Sequence, residues 1–166
     1  MKLILFRHGL AVDREMSMEQ KLEDGLRPLT EKGREKTRKM AKHLREQMGE
    51  VQLLVSSPLV RAQQTADIIG KTLPFERYSE STELVPDAPP QAFANWLKVH
   101  APHSNSVIAV GHEPQLSVFA CWLLAGYSGS FFELKKSGVI TLEVQSFEHL
   151  GPRSGTLLSI ISPKLL

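Results

Sequence analysis

The chain lacks most of the features that mark a specialised protein class. It has one cysteine, Cys121, so no disulfide can close within it, and no CxxC spacing suggests zinc or a redox pair. Long apolar runs are missing too. The N-terminal one, Leu3-Ile4-Leu5-Phe6, stops at Arg7 and His8, too short for a signal peptide or a membrane span. Neither charge sign dominates: 20 Lys+Arg stand against 18 Asp+Glu, a formal net charge of +2. That balance argues against nucleic acid as the main partner. No internal repeat, low-complexity tract or dividing linker is present.

What remains is 166 residues of average globular composition, 42% hydrophobic and 23% charged. Domains run to about 100–200 residues, so a single domain over residues 1–166 is expected. A chain of this size buries roughly 70% of its unfolded surface and needs no covalent or metal staple. Met1 with no leader behind it implies a cytoplasmic protein.

Short apolar runs alternate with helical periods. Leu3–Phe6, Val51–Val55 and Ser106–Val110 read as strands buried on both faces. Positions 29, 33, 37, 40, 41, 44 and 48 share one helical face, with Thr30 as N-cap and Gly49 just past the end. Ser57-Pro58 supplies a cap and a first-turn proline for a helix ending near Gly70. A third helix is expected at Gln91–Val99, and a fourth opens at Gly111-His112-Glu113-Pro114 and runs to Ala125. Residues 13–28 and 79–90 read as loops, and Val139–Val144 and Thr156–Ile161 as closing strands. This alternation implies an α/β fold of three α/β/α layers around a mostly parallel sheet.

Familiar motifs fail on spacing. Gly70-Lys71-Thr72 invites a phosphate loop, which needs a glycine at position 65, where Thr65 stands. A cysteine phosphatase needs arginine six residues beyond its cysteine, and that place is Tyr127. GxGxxG and HExxH are both missing.

One constellation survives. Arg7 and His8 follow the first strand, Arg61 follows the second and His112 follows the third. In open α/β sheets the carboxyl ends of the strands form the ligand crevice, so these four converge there. Each alone is commonplace, as a solvated arginine or a hydrogen-bonded histidine; their joint placement in three separate units is not. Two guanidinium forks and two helix starts suit a dianionic phosphoryl group. No magnesium-type carboxylate cluster accompanies them, so no metal and no cofactor are expected.

At these residues the chain resembles the histidine phosphatase superfamily, which also contains the phosphoglycerate mutases. The likeness is carried by Arg7-His8-Gly9, by Ser56-Ser57-Pro58-Leu59-Val60-Arg61-Ala62-Gln63-Gln64-Thr65-Ala66 and by Gly111-His112. Arg27-Pro28-Leu29-Thr30-Glu31-Lys32-Gly33 and the short length resemble its SixA-type protein phosphohistidine phosphatases. The resemblance implies a phosphoglycerate mutase-like fold with His8 as nucleophile. It further implies that Arg7 and Arg61 hold the phosphoryl oxygens, that His112 completes the substrate pocket, and that a water releases phosphate. A neutral imidazole is a competent nucleophile at pH 7, and its other nitrogen should be fixed by a backbone carbonyl.

Many members of the family also use a carboxylic acid as proton donor. The nearest match is Glu83 in Thr82-Glu83-Leu84, with Asp87 behind it. A phosphohistidine substrate has less need of an acid, because imidazole leaves far more readily than an alkoxide. Little chain is left over to roof the pocket, so a side chain protruding from a phosphorylated partner protein could enter. The alternatives are a small-molecule phosphomonoesterase and a noncatalytic phosphate-binding module. The basic stretch 27–45 reads as a solvated helix face, with docking of an acidic partner as the other possibility.

Overall fold

The computed structural model describes residues 1–166. Six strands form one sheet: β1 (Lys2–Arg7), β2 (Val51–Ser56), β3 (Phe75–Glu80), β4 (Ser106–Gly111), β5 (Val139–Val144) and β6 (Gly155–Ile161). Their order across the sheet is β3-β2-β4-β1-β5-β6. The β3, β2, β4 and β1 strands run parallel, and β5 runs antiparallel to both β1 and β6.

The helices are α1 (Arg14–Glu19), α2 (Glu31–Gln47), α3 (Val60–Thr72), α4 (Pro90–His100) and α5 (Gln115–Ala125). The strand side chains alternate between two cores. Leu3, Leu5, Leu53, Val55, Val107 and Ala109 pack with Phe93 and Leu97 of α4 and Phe119 and Leu123 of α5. Ile4, Phe6, Leu54, Ile108 and Val110 pack with Met40 and Leu44 of α2 and Ala66 and Ile69 of α3. This is the expected three-layer α/β/α arrangement, and it explains why the central strands are apolar throughout. No helix is long and apolar enough to cross a membrane.

Thr30 caps α2 as expected, accepting the Gly33 N–H at 3.0 Å. Gly33 also lets the post-β1 loop lie against α2, since a Cβ there would fall 2.2 Å from the Leu10 carbonyl oxygen. The charges on the outer face of α2, including Arg38, Lys39, Lys42 and Arg45, are exposed, as a solvated face requires.

Several sequence expectations need correction. Residues 13–28 are not simply a loop: Asp13 caps the six-residue α1, and Asp24–Leu26 form a 3-10 turn. Both are too short to show an apolar period, and α1 buries only Ser17. The segment 79–90 contains the end of β3, an edge strand whose FERYSE sequence is mostly exposed, and a 3-10 turn at Thr82–Leu84. An edge strand with little to bury carries no alternation to read. Ser57 is not the cap of α3, which starts at Val60 after Leu59; Ser57 is fully buried and turned toward His112. Gly111 is still strand, so α5 begins only at Gln115.

Candidate active site

The four residues singled out from the sequence meet at the carboxyl ends of β1, β2 and β4. Arg7 is the last residue of β1, and the His8 N–H donates to the Gly111 carbonyl at the end of β4, 3.0 Å away. The Gly9 N–H donates to Thr65 Oγ1 (3.1 Å), whose hydroxyl donates to the Arg61 carbonyl (2.7 Å). These bonds tie the loop after β1 to the first turns of α3. The His8 and His112 ring centroids are 4.8 Å apart.

His8 is 3% exposed, and its Nδ1 lies 2.6 Å from the Gly9 carbonyl oxygen. A carbonyl only accepts, so the ring proton sits on Nδ1 and the Nε2 lone pair faces the crevice. Burial, then the positive charge of Lys136 and the neighbouring His112, push the His8 pKa far below the ordinary histidine range. His8 is therefore neutral and nucleophilic at physiological pH.

His112 Nε2 is 2.8 Å from Ser57 Oγ, and its buried Nδ1 has no partner within the protein. Burial, followed by the charges of Arg61 and Lys136, lowers its pKa to about 3. Arg61 donates through Nη1 to the Asp24 carbonyl (2.8 Å) and through Nη2 to Asp24 Oδ2 (3.3 Å). Arg7 donates through Nη1 to the Leu134 carbonyl and to Glu133 Oε1 (2.8 Å). Both guanidiniums are almost wholly buried, yet the Nε of each is unpartnered.

Three buried nitrogens of the clustered residues, Arg7 Nε, Arg61 Nε and His112 Nδ1, thus lack a protein acceptor. An unmet buried donor costs about 1–3 kcal/mol, so the site is arranged for an anion with several oxygens. The carboxylates now on the arginines do not fill that role. Asp24 and Glu133 side chains are 51% and 63% exposed and reach the guanidiniums from the rim.

Glu83 lies in the Thr82–Leu84 turn, half-buried, with its carbonyl accepting from Gln115 Nε2 (3.2 Å) at the start of α5. The same turn sets the Leu84 carbonyl against Gly111 at the end of β4. Asp87 is exposed further along. Neither carboxylate bonds to the four clustered residues. Sequence reasoning overlooked Lys136, whose Nζ is 3.4 Å from His8 Nε2, and the anchors Asp24 and Glu133. Lys136 comes to the site because β5 runs antiparallel to β1 and so begins where β1 ends, a pairing that no local pattern announces.

Residues 3–85 match the histidine phosphatase superfamily (branch 1). The chain belongs to that superfamily. It is 34% identical over 167 residues, covering 100% of this chain and 99% of the relative, to an uncharacterized protein of Picosynechococcus sp.. It is also 26% identical over 148 residues to the phosphohistidine phosphatase SixA of Escherichia coli, with 86% of each chain covered. A solved structure of the protein histidine phosphatase SixA complexed with tungstate superposes with a TM-score of 0.82 at 26% identity, covering 99% of both chains.

Burial of two neutral histidines has a thermodynamic consequence. Unfolded histidine titrates near 6.5, whereas folded His112 titrates at about 3. Between those values the unfolded chain binds the extra proton, so stability falls as pH falls. From pH 7 to pH 5, His112 alone should remove about 2 kcal/mol, and His8 acts in the same direction. Urea denaturation at both pH values should show the loss, and His112→Asn should shrink it; an equal loss in both proteins contradicts a neutral buried His112.

Proposed function

We propose that this protein is a phosphohistidine phosphatase that takes the phosphoryl group from a phosphorylated partner protein onto His8 and releases it to water. The observation that carries the reading is that three buried nitrogens, Arg7 Nε, Arg61 Nε and His112 Nδ1, have no acceptor in the same cluster as His8, whose Nδ1 is held on the Gly9 carbonyl. Likeness to SixA, including a form that binds the tetrahedral oxyanion tungstate, supports the same chemistry. The reading takes residues 1–166 as one domain working in the cytoplasm, which the single free buried Cys121 fits.

In the first step the Nε2 lone pair of His8 forms a bond to phosphorus. The substrate ring enters as a cation, protonated on its other nitrogen. The bond between phosphorus and its nitrogen breaks, the electron pair stays on that nitrogen, and the substrate leaves as a neutral imidazole. Arg7, Arg61 and the Nδ1–H of His112 hold the equatorial oxygens, where charge accumulates during transfer. His112 donates from Nδ1 when its Nε2 accepts the Ser57 hydroxyl proton, a geometry that the 2.8 Å contact permits.

His8 keeps its Nδ1 proton on the Gly9 carbonyl, so the phosphorylated ring is cationic. In the second step a water oxygen bonds to phosphorus, the N–P electron pair returns to Nε2, and the water proton passes to solvent. The products are the dephosphorylated partner and inorganic phosphate. A cationic ring leaves as neutral imidazole, so this half-reaction needs no further acid.

The structure assembles no group of three or more His, Cys, Asp or Glu side chains able to hold a metal, and the reading needs none. The reading gives Glu83 the part of proton donor for poorer leaving groups, supported by its turn, whose Leu84 carbonyl packs against Gly111 at the end of β4. The second reading, a small-molecule phosphomonoesterase, rests on that same turn.

A substrate panel separates the two. A phosphohistidine peptide should be hydrolysed about 10²-fold faster than alkyl phosphates, with rates unchanged by chelator. Glu83→Gln should lower alkyl phosphate turnover at least 10-fold, on the order of general-acid contributions, and spare phosphohistidine. Preference for alkyl phosphates reverses the assignment, and inhibition by chelator removes the metal-free mechanism.

A further inference from the structure

Lys136 is the one cation of the crevice with no carboxylate partner. It stands half-buried beside His8, and its ion-pair neighbours are taken: Glu133 is bonded to Arg7, and Asp24 to Arg61, Arg27 and Arg14. The side chain is aimed rather than stray. The Ser137 N–H donates to the Arg7 and His8 carbonyls (3.2 and 3.3 Å), and the Arg7 N–H donates to the Gly138 carbonyl (3.0 Å). Ser137 is fully buried, holds φ at 58° and hydrogen-bonds through Oγ to Thr37 Oγ1 at 3.0 Å. A left-handed serine costs on the order of 1 kcal/mol, held here by bonds on both sides of the turn.

With Nδ1 of His8 donating to Gly9, Nε2 can only accept, so the contact at 3.4 Å is an ammonium N–H directed at the nucleophile's lone pair. A phosphoryl group arriving on Nε2 takes that lone pair and puts its own equatorial oxygens within reach of Nζ. The leaving atom departs from the opposite, apical side, which excludes Lys136 as its proton donor. We infer that Lys136 is a catalytic residue of this site. Its ammonium covers the His8 lone pair in the resting enzyme and binds a phosphoryl oxygen, beside Arg7 and Arg61, from transfer to release of phosphate. Once the N–P electron pair has returned to Nε2, the same N–H donates to it again; no proton is transferred.

The inference rests on His8 as phosphoryl acceptor. Burial, then the charges of Arg7, Arg61, Arg27 and Arg14, bring the Lys136 pKa down to about 8. The groups around it are His8, His112, these four arginines, Glu133 and Asp24. Its charge is therefore present at neutral pH and lost as pH rises through about 8, which predicts an alkaline limb in kcat/KM.

The full chain is assayed with a histidine peptide bearing radiolabelled phosphoryl, following label on the protein and phosphate release from pH 6 to 10. Wild type should carry label on His8 and show the limb. Lys136→Gln should lose about 10²-fold in kcat/KM and lose the limb, as expected for removing one transition-state donor. Lys136→Arg, which keeps the charge, should recover most of the rate and move the limb above pH 9. If His8 takes no label in wild type, the covalent reading itself fails, and this inference with it. If His8 is labelled but wild type has no limb near pH 8, or Lys136→Gln stays within twofold of wild type, Lys136 alone is dismissed. An unchanged limb in either variant dismisses it as well.

Discussion

Replacing His8 with alanine should abolish turnover of a phosphohistidine peptide, with kcat falling by at least about 10⁴-fold and no label trapped on the protein. The reason is geometric. With Nδ1 of His8 held on the Gly9 carbonyl, Nε2 carries the free lone pair that the proposed transfer uses, in the same cluster as the three unpartnered donors. Removing the attacking atom of a covalent mechanism leaves only the residual help of the surrounding donors, as in other enzymes that work through a covalent intermediate. The variant should still bind inorganic phosphate, because Arg7, Arg61 and His112 remain. It should also gain stability at acidic pH, since one buried neutral histidine is gone. Rapid-quench labelling and phosphate release measure the first expectation, and titration calorimetry with phosphate the second. Turnover within 10-fold of wild type would show that water attacks the substrate directly.

Arg61→Lys should lower kcat/KM by about 10²–10³-fold although it preserves charge. Arg61 makes two bonds to Asp24 through its terminal nitrogens and still has Nε free for the anion. A lysine has one nitrogen and cannot do both, so either the Asp24–Leu26 turn loses its anchor or the phosphoryl oxygen loses its donor. Phosphate affinity should fall with it. Kinetics on phosphohistidine and phosphate inhibition constants test this together; a lysine variant within threefold of wild type in both would reduce Arg61 to a simple point charge. The loss should persist at high salt, because the guanidinium side chain is only 3% exposed and ions in solvent screen it weakly.

The parts of the fold legible in the sequence are those whose burial leaves a periodic trace. The β1, β2 and β4 strands are buried on both faces and read as continuous apolar runs, and α2 carries an unbroken apolar face behind Thr30. The edge strand β3 buries too little to show. The short α1 and the Asp24–Leu26 turn depend on what they touch, Arg61 above all, rather than on their own composition.

The candidate site divides along the same line. Arg7, His8, Arg61 and His112 follow strands that the sequence reveals, and parallel strands must end on the same edge of a sheet, so their convergence was dictated by the order of elements alone. The Nδ1 proton of His8 was also foreseeable, because a histidine at the end of a strand has a carbonyl within its own loop to bind. Lys136, Glu133 and Asp24 were not. Their places depend on β5 pairing antiparallel with β1 and on the segment before α2 folding back over α3, contacts between residues more than 30 positions apart. Local spacing determined which residues could attack and bind a phosphoryl group. Only the packed sheet decided which charges surround them, because charge acts through space and the chain's own order does not record that distance.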